Sequence, residues 1–150
     1  MRITTVLLLI GLISVLASPG VATGQDPVAA ARTQLTTARF HAGELAQRGT
    51  AISGTQTHIQ HVINCLEGDK GPNFRAAAGY PCQGQGNGIL NDLRTAVSAG
   101  ARGSEASLRF ANIALQLSLQ VLKMTDVNEA QPYAIVVARN LQSALDALGQ

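Results

Sequence analysis

The sequence predicts an all-α protein: an up-down-up-down four-helix bundle with a disulfide-tied, glycine-rich loop between the second and third helices. Apolar residues recur at helical spacing in several segments of the chain. Ala, Leu and Gln are abundant, aromatic residues make up 3% and Trp is absent, a composition that is typical of helical proteins. Residues 67–88 break the helical period with repeated Gly and Pro, which predicts one long loop.

The chain begins with a predicted secretory signal peptide at residues 1–24, and the bundle is expected to occupy residues 25–150. A basic start precedes the apolar run Val6–Leu16, which is too short for a membrane span. Small residues just before Gln25 are typical of a cleavage site; cleavage after Ala22 and an uncleaved anchor are the alternatives. We therefore expect a secreted or periplasmic protein with no membrane span after signal cleavage.

Charge and composition exclude several classes of function. The 11 Lys and Arg nearly balance the 9 Asp and Glu, and no basic cluster indicates binding to nucleic acid. No C-x-x-C-H motif is present and few aromatic residues could surround a porphyrin, so no haem is expected. No nucleophile and base can be paired from the sequence, which favours a protein that is not an enzyme.

The first two predicted helices form an antiparallel hairpin. Asp26 can cap the first helix with Pro27 at its first position. The helix should end near Gly49, and Thr50 can cap the second, so almost no connection separates them. The apolar face of the first helix comprises Val28, Ala31, Leu35, Ala38, Ala42, Leu45 and Ala46, and that of the second Ile52, Ile59, Val62, Ile63 and Leu66.

The loop that follows is expected to be tied back to the second helix by a disulfide. Two cysteines in an exported chain should pair. A Cys65–Cys82 bond closes a loop of about 17 residues, which is worth about 3 kcal/mol in the chain-entropy model. Phe74 and Tyr80 can pack the loop onto the bundle, and Asn64, beside the first cysteine, is a candidate for hydrogen bonds to the loop backbone.

The second half of the chain carries a short helical segment at residues 89–97 and two longer helices, at about 104–124 and 126–148. The helix at 104–124 is apolar on two nearly opposite faces, which predicts either the central helix of the bundle or a seam for a homodimer or another partner. We call the second of these faces the second apolar stripe; it comprises Phe110, Ile113, Leu117, Val121 and Met124.

The stretch THIQHVINC, residues 57–65, contains the candidate metal ligands. His58 and His61 lie on the same flank of the second helix as Cys65. His41 is level with His58 in an antiparallel hairpin, but the three histidines converge for only one hand of that hairpin, which the sequence leaves open. If they converge, three imidazoles with one open coordination position suit a zinc, copper or nickel ion, and Glu44 could add an oxygen or orient a ring.

Two other interpretations of this stretch remain open. The histidines can be ordinary half-exposed polar side chains on a helix flank, with the protein acting as a structural or interaction protein of the envelope. Alternatively, if the cysteines are reduced, Cys65 and Cys82 could bind Zn²⁺ together with His58 and His61, although the exported location argues against reduced cysteines.

The segments HIQHVINCLEG, GPNF and AGYPCQGQGNG resemble a group of exported bacterial proteins of unassigned function. Their shared centre is H-x-x-H-x-x-N-C-L-x-G, followed by a glycine-rich stretch and P-C-x-G-Q-G, and the resemblance covers residues 57–88. More loosely, the chain resembles the periplasmic small metal-binding proteins, which are His-rich helical bundles that hold copper, nickel or zinc. The resemblance implies a bundle with a disulfide-tied loop and a metal role for His41, His58 and His61. Those proteins carry many repeated histidines, whereas the three in this chain favour a single site, or none, over a high-capacity buffer.

Overall fold

A computed structural model describes residues 24–149, which form five α-helices and no β-strand. The helices are α1 (Pro27–Phe40), α2 (Ile52–Glu67), α3 (Ile89–Ser98), α4 (Ser104–Val121) and α5 (Val127–Ala147). The all-helical class is confirmed, but the segment that we predicted at 89–97 is a helix in its own right, packed on α1 and α4. The up-down-up-down order of four helices stays a prediction. The predicted signal peptide, apart from Gly24, lies outside the described residues.

The first helix begins as its sequence predicts and ends in an unexpected way. The Asp26 carboxylate accepts a hydrogen bond from the Val28 amide at 3.0 Å, with Pro27 in the first turn. At residue 41 the backbone changes to a π-helical segment, His41–Leu45, in which the Ala46 amide bonds back to the His41 carbonyl. The wider turn of a π-helix shifts side chains around the axis relative to an α-helix, and such segments recur at functional sites.

The core is built from aliphatic side chains at the predicted helical spacings. Alanines and other small residues line much of α1, α4 and α5, which permits close approach of the helices, and the most extensive packing is between α4 and α5. Fully buried members from several helices are Leu35, Ile59, Ile63, Leu93 and Leu141. No helix among residues 24–149 has the length and hydropathy that crossing a membrane requires.

The second apolar stripe of the 104–124 region is largely covered by the chain's own core. Val121 is completely buried, and Phe110, Leu117 and Met124 pack partly buried against the core. Ile113 is the member that faces solvent, with 46% of its surface exposed. Contact of this stripe with a partner stays a prediction, and Ile113 is the side chain open to such a contact.

The predicted disulfide is confirmed. Cys65 on α2 and Cys82 in the loop are bonded, with their Cα atoms 5.3 Å apart, and both residues are completely buried. At the base of the loop the backbone of Gly68 lies against that of Asn87 and Gly88. A Cβ on Gly68 would be 2.6 Å from the Asn87 oxygen, and a Cβ on Gly88 would be 2.6 Å from the Gly68 nitrogen. The loop is therefore closed twice, and its middle is pressed onto the flank of α2.

Candidate metal centre

The hairpin has the hand that brings the three histidines together. His41 opens the π-helical segment, and His58 and His61 lie on α2, which runs back alongside it. The Nδ1 atom of His41 lies 3.3 Å from Nδ1 of His58 and 3.1 Å from Nδ1 of His61. The candidate ligand atoms of the three rings all lie within 4.8 Å of one another, and each side chain is half-buried. The cluster is thus close enough to hold a metal ion.

The separations between these nitrogens suit coordination to one ion. Nitrogen ligands about 2.0–2.1 Å from a tetrahedral metal are about 3.3–3.4 Å apart, whereas neighbouring ligands in a square plane are about 2.8–2.9 Å apart. The Nδ1–Nδ1 distance of 3.3 Å from His41 to His58 matches the tetrahedral value. The distance of 3.1 Å from His41 to His61 is midway between the two values. Three such ligands leave a further position for water or another donor.

The tautomer of His61 is set by its other ring nitrogen. Nε2 of His61 lies against the carbonyl oxygen of Ala78, in the short 3₁₀ turn Ala76–Ala78 of the loop. A carbonyl only accepts, so Nε2 must carry the proton, and the lone pair of the neutral ring is then on Nδ1, facing His41. A hydrogen bond from the distal ring nitrogen to a backbone carbonyl is the usual arrangement around a metal-binding histidine.

Burial and mutual repulsion favour the neutral forms of His41 and His58. Desolvation, followed by the neighbouring His61 and His58, lowers the pKa of His41 from 6.5 to about 4. Desolvation and His61 also lower the pKa of His58. Because a metal ion binds the neutral imidazole, these shifts leave lone pairs available on His41 and His58 at neutral and mildly acidic pH.

Hydrogen bonds among the three rings cannot pair all three Nδ1 atoms at once. Nδ1 of His41 faces two other Nδ1 atoms, and a single proton there can be donated well to only one of them. The Nδ1 of His61 is already committed as an acceptor by its contact through Nε2. An ion placed among the three nitrogens would accept all three lone pairs at once.

Three other residues that we considered as ligands, Glu44, Cys65 and Cys82, are not part of the cluster. The Glu44 carboxylate pairs with Arg48 at 2.9 Å on the exposed surface and is not among the grouped ligands. Cys65 and Cys82 are joined to each other, so the site that would need reduced cysteines is not formed.

Sequence reasoning missed the neighbours that support the rings. The Ala78 carbonyl has no signal in the sequence, because a backbone acceptor can belong to any residue. Asn64 was a candidate for loop hydrogen bonds, and its amide does bind loop carbonyls at Arg75 and Gly79. Its position three residues after His61, close to one helical turn along α2, is a signal that could have linked it to the site.

The fold and the site define a helical protein with a three-histidine cluster able to hold a metal ion. Comparison with protein-family models, curated proteins and solved structures finds no match to this chain. The chemistry of the cluster is therefore what indicates a function.

Proposed function

We propose that this chain is an exported, non-enzymatic helical protein that binds one transition-metal ion, copper, zinc or nickel, through His41, His58 and His61. The convergence of the three Nδ1 atoms carries the proposal. The resemblance of residues 57–88 to exported bacterial proteins, and more loosely of the chain to the periplasmic small metal-binding proteins, points in the same direction. Half-burial of the rings leaves room for an exchangeable ion with an external fourth ligand, which suits a carrier or a sensor.

Calorimetric titration of the oxidised protein, residues 25–150, with Zn²⁺, Cu²⁺ and Ni²⁺ tests the proposal. We expect one-to-one binding with a dissociation constant below about 10 µM for at least one ion. The variants His41→Ala, His58→Ala and His61→Ala should each bind at least about a hundredfold more weakly. The chain has three histidines in all, so the triple variant provides a background without imidazole.

The matched control is Glu44→Ala, which removes a nearby potential ligand outside the cluster. Its affinity should equal that of the wild type. Binding weaker than about 10 µM for all three ions, or binding that persists in the triple variant, would refute the metal proposal.

The competing function is a structural or interaction protein of the envelope, and exposed Ile113 favours it. In that case a homodimer or a complex would form through the stripe that contains Phe110, Ile113 and Leu117. The mass in solution of the wild type and of Ile113→Ser separates the two functions: a dimer that the substitution dissociates supports the seam, and a monomer at high concentration argues against the homodimer.

A further inference from the structure

The turn that follows Phe74 in the loop covers one side of the His61 ring. Residues 75–79 pass over α2, so the Ala78 carbonyl meets Nε2 of His61 and Gly79 lies beside the same atom. A Cβ on Gly79 would be 3.1 Å from Nε2 and 3.7 Å from the Cδ2 of the ring, and the residue has φ +102°. The ring therefore fits against a backbone position that favours glycine both for its conformation and for its space.

Asn64 holds this turn in place. The fully buried side chain donates from Nδ2 to the carbonyls of Arg75 at 2.9 Å and Gly79 at 2.7 Å. Its Oδ1 accepts from the Arg75 amide and from Gln60, both at 3.0 Å. All the donors and acceptors of the amide are used, so its orientation is unambiguous and the two ends of the turn are fixed to α2.

Helix α2 thus carries both His61 and Asn64, the residue that positions the Ala78 carbonyl against the His61 ring. Asn64 is three residues after His61, close to one helical turn along α2. Because the two carbonyls bound by Asn64 bracket residues 76–78, the position of the Ala78 oxygen depends on this clamp. That oxygen in turn selects the tautomer in which Nδ1 of His61 points at His41.

We propose that Asn64 is a positioning residue, which holds the turn at residues 75–79 so that the Ala78 carbonyl fixes the ring and tautomer of His61 and thereby sets the affinity of the metal site. The effect on affinity rests on the proposed function; the effect on the ring does not. The loop then orients a proposed metal ligand, in addition to being tied to α2 by the disulfide.

Asn64→Ala, compared with Asn87→Ala, tests the proposal. Asn87 lies in the same loop, and its side chain donates to Asp92 at 3.1 Å and not to the carbonyls of Arg75 or Gly79. The two variants remove the same amide group, but only one of them removes the bonds to the turn. We expect Zn²⁺ affinity to fall about 10–100-fold in Asn64→Ala and to stay within about twofold of the wild type in Asn87→Ala. Gly79→Ala approaches the ring from the loop side and should also weaken binding, and it serves if Asn64→Ala does not fold.

A spectroscopic measurement on the metal-free protein separates this proposal from the proposed function. Long-range ¹H–¹⁵N spectra at pH 8 should show His61 protonated on Nε2 in the wild type and a mixture of tautomers in Asn64→Ala. If no ion binds the wild type but the tautomer changes as expected, the proposed function fails and the positioning role stands. If ions bind but the folded Asn64→Ala keeps wild-type affinity and tautomer, the positioning role is overturned. A wild-type His61 protonated on Nδ1 overturns it even if neither variant folds.

Discussion

Removal of the disulfide gives a quantitative test of how the loop is held. Cys65 and Cys82 are 17 residues apart, and the loop-entropy expression gives about 3 kcal/mol for closing such a loop in the unfolded chain. The double variant Cys65→Ala/Cys82→Ala should lower the free energy of unfolding by about that amount. For a domain of this size, that corresponds to a fall in the melting temperature of about 10 °C.

The assay is urea unfolding of residues 25–150 with a chelator present, followed by far-ultraviolet circular dichroism. The wild type reduced by a small dithiol is the control, and it should lose as much stability as the double variant. Both samples should also show a larger dependence of the free energy on urea, because their unfolded chains expose more surface without the cross-link.

A loss below about 1 kcal/mol would refute the reasoning, since it would mean that the unfolded chain is hardly constrained by the bond. A loss far above about 5 kcal/mol would also contradict it, because packing of the buried sulfurs would then outweigh chain entropy.

Three further predictions concern the cluster, the loop base and the first cap. Without metal, the unfolding free energy should fall by about 1 kcal/mol from pH 6.5 to pH 4, after allowance for solvent screening. The reason is that the pKa of His41 is lowered in the folded protein, so that in this range the unfolded chain binds more protons at His41 than the folded protein does. Chemical denaturation should show a smaller fall for His41→Gln, and an equal fall would contradict the role of His41. Gly88→Ala should cost about 2–4 kcal/mol, since its Cβ would lie 2.6 Å from the Gly68 nitrogen. Gly84→Ala, with positive φ but open space, should cost only about 1 kcal/mol in the same urea assay, and equal costs would exclude the steric cause. Asp26→Ala should lower the free energy of unfolding by about 1 kcal/mol, because the hydrogen bond from the Val28 amide is lost. Asp26→Asn should stay near the wild type in thermal unfolding. Equal stability of the two variants would rule out a capping role for Asp26.

Local patterns explain why much of the fold could be predicted. Asp26 and Pro27 mark a helix start through groups only a few residues apart, and the apolar spacing of α2 follows from its own period. The predicted cap at Thr50 was wrong, because Ala51 occupies the N-cap position and makes no side-chain cap. The first helix was expected to continue to Gly49, but it changes to a π-helix at His41. Nothing in the local residue pattern indicated that change.

The sequence by itself determined the helical class, the pairing of Cys65 with Cys82, and the equal level of His41 and His58 in the hairpin. These follow from periodicity, from the presence of two cysteines, and from distances along the chain. Tertiary structure decided the rest: the side on which α2 lies against the π-helical segment, and the path of the loop over His61. The hand of a hairpin depends on packing against the other helices, and a backbone acceptor such as the Ala78 carbonyl is positioned by long-range contacts, so neither has a local signature.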